Sequence, residues 1–261
     1  MTGPKYEVYA VRYARHDERR SSEVFLGGDP HDRAMPLDYF VWAIRGPKSV
    51  WVVDTGFTAE RAVQRKRTFL RCPSAGLRAI GIDANEVENV IITHMHYDHV
   101  GNHHLFPKAV YHIQDREMAY ATSRHMCNDN LRGGYEAEDV AEMVYRLYAG
   151  RLRYHAGDEM LEPGLSVHHI GGHTDGQMAV RIRTRRGWLV LASDSAHFYA
   201  NFIENRPFAY IFHVGDTLEG FRKLRSLAES EDMVIPGHDP LVMQRHPPAG
   251  PGLEGIAVRL D

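Results

Sequence analysis

Three histidines and an aspartate fall within six residues, His94-Met95-His96-Tyr97-Asp98-His99, immediately after the apolar run Val90-Ile91-Ile92. Alternate side chains of an extended segment point the same way, so His94 and His96 can converge on one point. A turn after Tyr97 brings Asp98 and His99 back toward that pair. Imidazole nitrogen and carboxylate oxygen suit zinc, with iron, manganese or cobalt as alternatives, whereas calcium would not be served by so many histidines. A merely solvated polar loop would not be echoed downstream, and this one is.

His173 follows Ile170-Gly171-Gly172, Asp194 follows Leu189-Val190-Leu191-Ala192-Ser193, and His238 follows Ile235-Pro236-Gly237. Each stands just past a predicted strand, beside residues that allow a tight turn. One such histidine alone reads as an ordinary loop residue. Three positions with the same grammar, downstream of the six-residue cluster, read as parts of one site.

The rest of the chain reads as alternating strands and helices. Tyr6–Tyr13 predicts an opening strand, and the polar segment 15–36 a long loop of the kind that serves or covers a site. Residues 39–45 and 49–53 around Gly46-Pro47-Lys48 predict a hairpin. Residues 59–71 predict a charged helix broken by Pro73, with a shorter helix to Gly81. Asp83 with Glu86 resembles a capping box. Ala109–Ile113 predicts a strand, and Asp115–Arg124 and Glu136–Tyr148 predict helices joined through Arg132-Gly133-Gly134. In the second half, 165–170, 178–183, 188–192, 233–235 and 256–260 predict strands, and Thr217–Glu229 a helix. Two halves of this grammar predict two facing sheets with helices outside, and a site at one edge of the sandwich.

Composition bounds the function. The length of 261 residues and 43% hydrophobic content fit a globular domain, read here as one domain over residues 1–261. A net charge of −3 offers no basic field for nucleic acid, so no nucleic-acid partner is expected. No apolar run reaches membrane-span length, and no membrane partner is expected. The stretch Met1–Tyr6 lacks the apolar core of a secretory signal, so the expected location is cytoplasmic. Cys72 and Cys127 read as free thiols.

The pattern His94-x-His96-x-Asp98-His99 with His173, Asp194 and His238 resembles the ligand set of the metallo-β-lactamase superfamily. Between Tyr39 and His238 the chain is most similar to its N-acyl homoserine lactonase-like branch. The resemblance implies an α/β fold, an αββα sandwich, with two Zn2+ ions. It implies that His94, His96 and His173 hold the first ion, Asp98, His99 and His238 the second, and that Asp194 bridges them. Asp54, in Asp54-Thr55-Gly56, matches a position that orients the ligand loop without binding metal. Only 23 residues follow His238, too few for the helical domain of the glyoxalase hydrolases. Antibiotic-hydrolysing members are usually exported and many lack the bridging aspartate. The transfer-RNA branch adds a basic arm, and the flavin-linked members replace the second histidine with glutamate. The lactonase-like branch is what remains.

One position departs from it. Lactone-hydrolysing relatives place a tyrosine three residues after the bridging aspartate, where this chain has His197, and Tyr199 follows two residues on. Either could hold a substrate carbonyl, or both could simply pack. The expected chemistry is hydrolysis of a small cyclic ester, with water activated near neutral pH by the metals and Asp98 as proton shuttle. No Gly-x-Ser-x-Gly elbow offers a covalent route. Hydrolysis of another ester, an amide or a phosphodiester, and a non-catalytic metal sensor, are the competing readings. His103, His104, His112, His168, His169 and His213 match no ligand position. Phe25, Leu26, Met35 and Leu37 are core or pocket wall. Oligomeric state stays open, a homodimer included.

Overall fold

The computed structural model describes residues 3–261, so Met1 and Thr2 of the stretch read for a signal lie outside the described residues. In chain order the first strands are β1 (Glu7–His16), β2 (Leu37–Arg45), β3 (Val50–Val53), β4 (Thr68–Phe69), β5 (Asn89–Ile91), β6 (Val110–Gln114) and β7 (Leu152–His155). Then come β8 (Glu159–Glu162), β9 (Leu165–His169), β10 (Met178–Thr184), β11 (Gly187–Ser193), β12 (Val234–Pro236) and β13 (Ala257–Arg259). One sheet runs β13-β1-β2-β3-β5-β6-β7, with β4 on β1, and the other runs β12-β11-β10-β9-β8.

Strand β2 shows how the sequence builds two layers. Successive side chains alternate faces, so Phe40, Trp42 and Ile44 meet Val180, Ile182, Leu189 and Leu191 of the opposite sheet. Tyr39, Val41 and Ala43 instead join Phe57, Leu77 and Tyr111 under the outer helices. Buried on both faces, β2 has no polar side, which is why it reads as an apolar run. Helix Ala137–Tyr148 lays Met143 and its neighbours Val140, Val144 and Leu147 onto the first sheet. Helix Val214–Leu227 covers the second with Phe221 and Leu224. The αββα sandwich is the expected fold.

The parallel pairs decide where the site forms. Strand β5 runs parallel to β3 and β6, and β11 runs parallel to β12 with Ser193 opposite Pro236. Parallel neighbours release their chains at the same end. Asp194 and His238 therefore emerge side by side, facing the loop that follows β5.

Local expectations fail in a few places, each for a physical reason. The helix expected over 59–71 stops at Gln64, with Lys66 in the left-handed region (φ 54°). Thr68 and Phe69 pair with Arg15 and Ala14 of β1, because a sheet edge and a place for Phe69 in the core outweigh helical propensity. Asp83 does accept from the Asn85 N–H, but Glu86 turns to Lys108 and no capping box closes; the segment is one tight turn over Ala84–Glu86. The long loop contains a short helix, Ser21–Val24, and is tied down by bridges Arg20–Ala34 and Phe25–Phe208. Strands β7 and β8 were not legible in advance, since Leu-Arg-Tyr-His and Glu-Met-Leu-Glu carry little β signature. They form at sheet edges, where the neighbouring strand supplies the template. Among the described residues no helix is long and apolar enough to cross a membrane.

Phe40 fills the space between the sheets and is 2% exposed. Phe40→Ala should cost about 3–5 kcal/mol of unfolding free energy, read as a lower urea midpoint with an unchanged slope.

Candidate metal centre

Three of the five candidate histidine rings are aimed by their second nitrogen. His173 Nδ1 lies 2.8 Å from the Tyr210 carbonyl, His238 Nδ1 2.9 Å from the Asp38 carbonyl, and His99 Nδ1 2.7 Å from Asp54 Oδ2. With one nitrogen held, the other is turned inward. Asp54 also accepts from the Thr93 N–H at 2.8 Å and from the Thr93 hydroxyl. It thus anchors both ends of the His94–His99 loop, in the orienting role expected of it. Asp54 (φ 60°) and Ser193 (φ 46°) are both in the left-handed region, an uncommon conformation that the surrounding hydrogen bonds hold in place.

The inward-facing atoms form overlapping groups. His94, His96, His173 and Asp194 make one, Asp98, His99 and His238 a second, and Asp194, His197 and His238 a third, with ligand atoms in each group within 4.8 Å of one another. Asp194 joins them through different oxygens. Its Oδ2 lies 3.2 Å from His173 Nε2 and 3.8 Å from His94 Nε2, while its Oδ1 lies 2.9 Å from His238 Nε2 and 3.3 Å from His99 Nε2. All seven expected ligand residues are buried. His94 Nε2 and His173 Nε2 approach His96 Nδ1 to 2.9 and 3.0 Å.

This crowding fits cations better than protons. His99 Nε2 and Asp194 Oδ1 are buried and face other donor atoms of the cluster without a well-aligned hydrogen bond among the described residues, a cost a fold does not bear without return. Burial, then the neighbouring imidazoles, push His94 and His96 well below the usual histidine range, toward the neutral form that binds metal. Against the penalty of burial, the facing histidines hold Asp194 well below the usual carboxylate range. His94 and His96 are thus neutral donors, while against the penalty of burial the facing carboxylates raise His99 and His238, whose protons a borderline metal ion would displace.

His197 and Tyr199 part company here. His197 Nε2 lies 3.0 Å from Asp194 Oδ2, and its ring stacks on Phe208 at 3.6 Å between centroids. Burial leads the causes that lower its pKa to about 3, so it is neutral. Tyr199 is directed elsewhere: it lines a neighbouring cavity rather than the one over the cluster, with the Arg245 guanidinium 4.0 Å from its ring centre. Its place at the start of helix Tyr199–Ile203 turns the side chain away from Asp194. The other histidines stand apart as expected. His112 stacks on His155, His168 meets Asp158, and His213 accepts the Asp216 N–H at a helix start.

Two supports had no sequence signal. Glu117, fully buried, accepts from the Met95 N–H (2.8 Å), the Gly176 N–H, and the Thr174 and Tyr135 hydroxyls, thereby joining the His94–His96 loop to the loop carrying His173. In the sequence it looks like an ordinary acid in the first turn of a helix. Gly134 accepts the Tyr97 N–H and packs on His96, where an added Cβ would come within 2.4 Å of the ring. Only glycine allows that approach, which explains the Gly133-Gly134 connection. A cavity of about 340 Å³ opens over the cluster, lined also by Tyr39, Arg65, Arg67, Tyr97 and Tyr210.

Residues 35–238 match the family model described as Metallo-beta-lactamase superfamily, and the chain belongs to that superfamily, as an enzyme of its metal-dependent hydrolase class. It is 30% identical over 233 residues to the N-acyl homoserine lactonase AttM of Azorhizobium caulinodans, covering 82% of this chain and 85% of that protein. To AiiA, the N-acyl homoserine lactonase of Bacillus thuringiensis subsp. kurstaki, it is 25% identical over 62% of this chain and 60% of that one. Among solved structures, an N-acyl homoserine lactone hydrolase with N-hexanoyl-L-homoserine at its metal centre superposes with TM-score 0.74 at 20% identity, covering 94% and 97% of the two chains. AidC, a dizinc quorum-quenching lactonase, gives 0.70 at 17% identity, covering 92% and 90%. At these identities the superpositions establish the fold.

Glu117→Ala would strand two N–H groups and two hydroxyls. It should weaken metal binding about 10–100-fold in a competitive chelator titration and cost at least about 2 kcal/mol of stability. Glu117→Gln, which keeps one acceptor, should lose less of both.

Proposed function

We propose that the chain is a dinuclear metal hydrolase that opens the ring of a cyclic ester, an N-acyl homoserine lactone or a relative of one, within one domain spanning residues 1–261. The observation that carries this reading is Asp194, whose two oxygens face two different histidine groups. His94, His96 and His173 would hold one ion, Asp98, His99 and His238 the other, and Asp194 would be shared. Zinc suits the donors best, with iron, manganese or cobalt as alternatives. Bound there, such a pair lowers the pKa of water to about 7 and polarises an ester carbonyl.

The chain's own residues supply the rest. Asp98 faces the cavity, with Oδ2 at 3.6 Å from His99 Nε2 and 3.7 Å from His238 Nε2, placed to take a proton from water and return it to the leaving alkoxide. Neutral His197, fixed by Phe208, presents its Nε2 edge beside Asp194, where it can orient the carbonyl. Tyr199 is withdrawn from that role. The buried walls keep bulk water from the reacting atoms and strengthen every charge interaction among them. Hydrolysis of another ester at the same centre is the second reading, favoured by His197 standing where lactone-hydrolysing relatives have tyrosine.

The test is turnover of lactones, aryl esters, amides and phosphodiesters by metal-loaded and chelator-treated protein. Lactones should be the best substrates, and chelation should abolish activity and lower the melting temperature. Asp194→Ala should bind fewer than two ions per chain and lose at least about 100-fold in kcat/KM. Two ions and full turnover in that variant would remove the reading.

A further inference from the structure

The outer wall of the metal cavity is cationic, and its arginines are not equally neutralised. Arg65 grips Glu136 at 2.6 Å and donates to the Gly133 carbonyl. Arg19 meets Glu23 only at 3.9 Å. Arg67, half-buried, forms no salt bridge among the described residues. Its Nη1 donates to the Arg65 carbonyl at 2.6 Å and lies 3.3 Å from His16 Nε2, and its Nε is buried without a partner.

The acids around the cavity do not answer this charge. Asp129 is exposed at the rim and paired with Arg132, and Asp98 and Asp194 face the histidines. His16 is held to about 4 by burial and by the charges of Arg67 and Arg19, so it adds no positive charge and accepts none. The Arg67 guanidinium faces the hydroxyls of Tyr39 and Tyr97, which are 3.5 Å apart. Tyr39 packs edge-on against the His238 ring at 5.1 Å, and Tyr97 directly precedes Asp98. A short chain of contacts thus joins the unpaired cation to the candidate centre, within one cavity. A half-withdrawn cation without a counter-ion is costly, and a planar guanidinium is built to grip a carboxylate.

We propose that Arg67, assisted by Arg19, binds a carboxylate carried by the substrate beside its scissile ester, so that the preferred substrates are anionic lactones rather than neutral ones. The proposal rests on the hydrolase reading above and narrows its substrate class to cyclic esters that carry a carboxylate, ranking neutral N-acyl homoserine lactones behind them. A long neutral acyl chain would leave Arg67 desolvated and unpaired, whereas a carboxylate satisfies it.

The experiment compares two lactones of equal size, 5-oxotetrahydrofuran-2-carboxylate and its neutral carboxamide, on metal-loaded wild type, Arg67→Gln and Arg67→Lys. Glutarate binding, followed by calorimetry on the same proteins, gives a readout independent of turnover. Wild type should favour the carboxylate at least about tenfold in kcat/KM, and added salt should erode the preference. Arg67→Gln should erase it through KM and weaken glutarate at least about tenfold, about 1.4 kcal/mol, with Arg67→Lys between the two. Equal use of both lactones by wild type, with the ratio unmoved in Arg67→Gln, overturns the anion site and leaves the hydrolase reading standing. If no lactone is turned over, the lactone reading fails. Glutarate then decides alone: binding lost in Arg67→Gln supports the site, and binding unchanged overturns it.

Discussion

Seven buried side chains aim nitrogen and oxygen atoms at a space a few ångströms across, and the surrounding fold is arranged to keep them there. Asp194 is the hinge of this arrangement, because one of its carboxylate oxygens faces His173 and the other His238. Water would screen such a cluster and protons would scatter it. Burial removes the first option, and it keeps His94 and His96 neutral, with their nitrogen lone pairs free to bind a cation. What the cluster then offers is a set of donor atoms suited to cations.

The support is layered. Behind the candidate ligands, Asp54 clamps the loop after β5, and Glu117 joins that loop to the one bearing His173. Gly134 lets His96 lie flat against backbone. Behind these stand the sheets, whose parallel pairs bring Asp194 and His238 out at one end. The strain visible at Asp54 and Ser193 sits in this second layer, where hydrogen bonds can hold it. In the outer cavity, His197 and Phe208 form one wall, and Arg67 with the Tyr39–Tyr97 pair forms another. The same hydrolytic machinery can take different substrates by changes there alone.

Much of the fold was legible beforehand, for reasons that differ by element. Strand β2 and the hairpin to β3 were readable because burial on both faces leaves an unbroken apolar run. Helix Ala137–Tyr148 was readable because its apolar residues recur at helical spacing. The segment after Gln64 misled, because its charges suit a helix while Phe69 finds a better place against β1. Edge strands β7 and β8 were invisible, since their conformation is imposed by a neighbour distant in sequence.

The sequence by itself determined the ligand residues as candidates, because metal chemistry admits few donor types and His-x-His-x-Asp-His leaves little else to explain it. It determined two sheets as well, through alternation and strand-end grammar. Only the tertiary structure decided that Asp194 faces both histidine groups, that His197 stays beside it, and that Tyr199 turns away into another cavity. It also decided the work of Glu117 and, among the described residues, the lack of a salt bridge at Arg67. These are facts about distance between residues far apart in the chain. A linear sequence encodes them only through the packing of the whole, so no local pattern could have announced them.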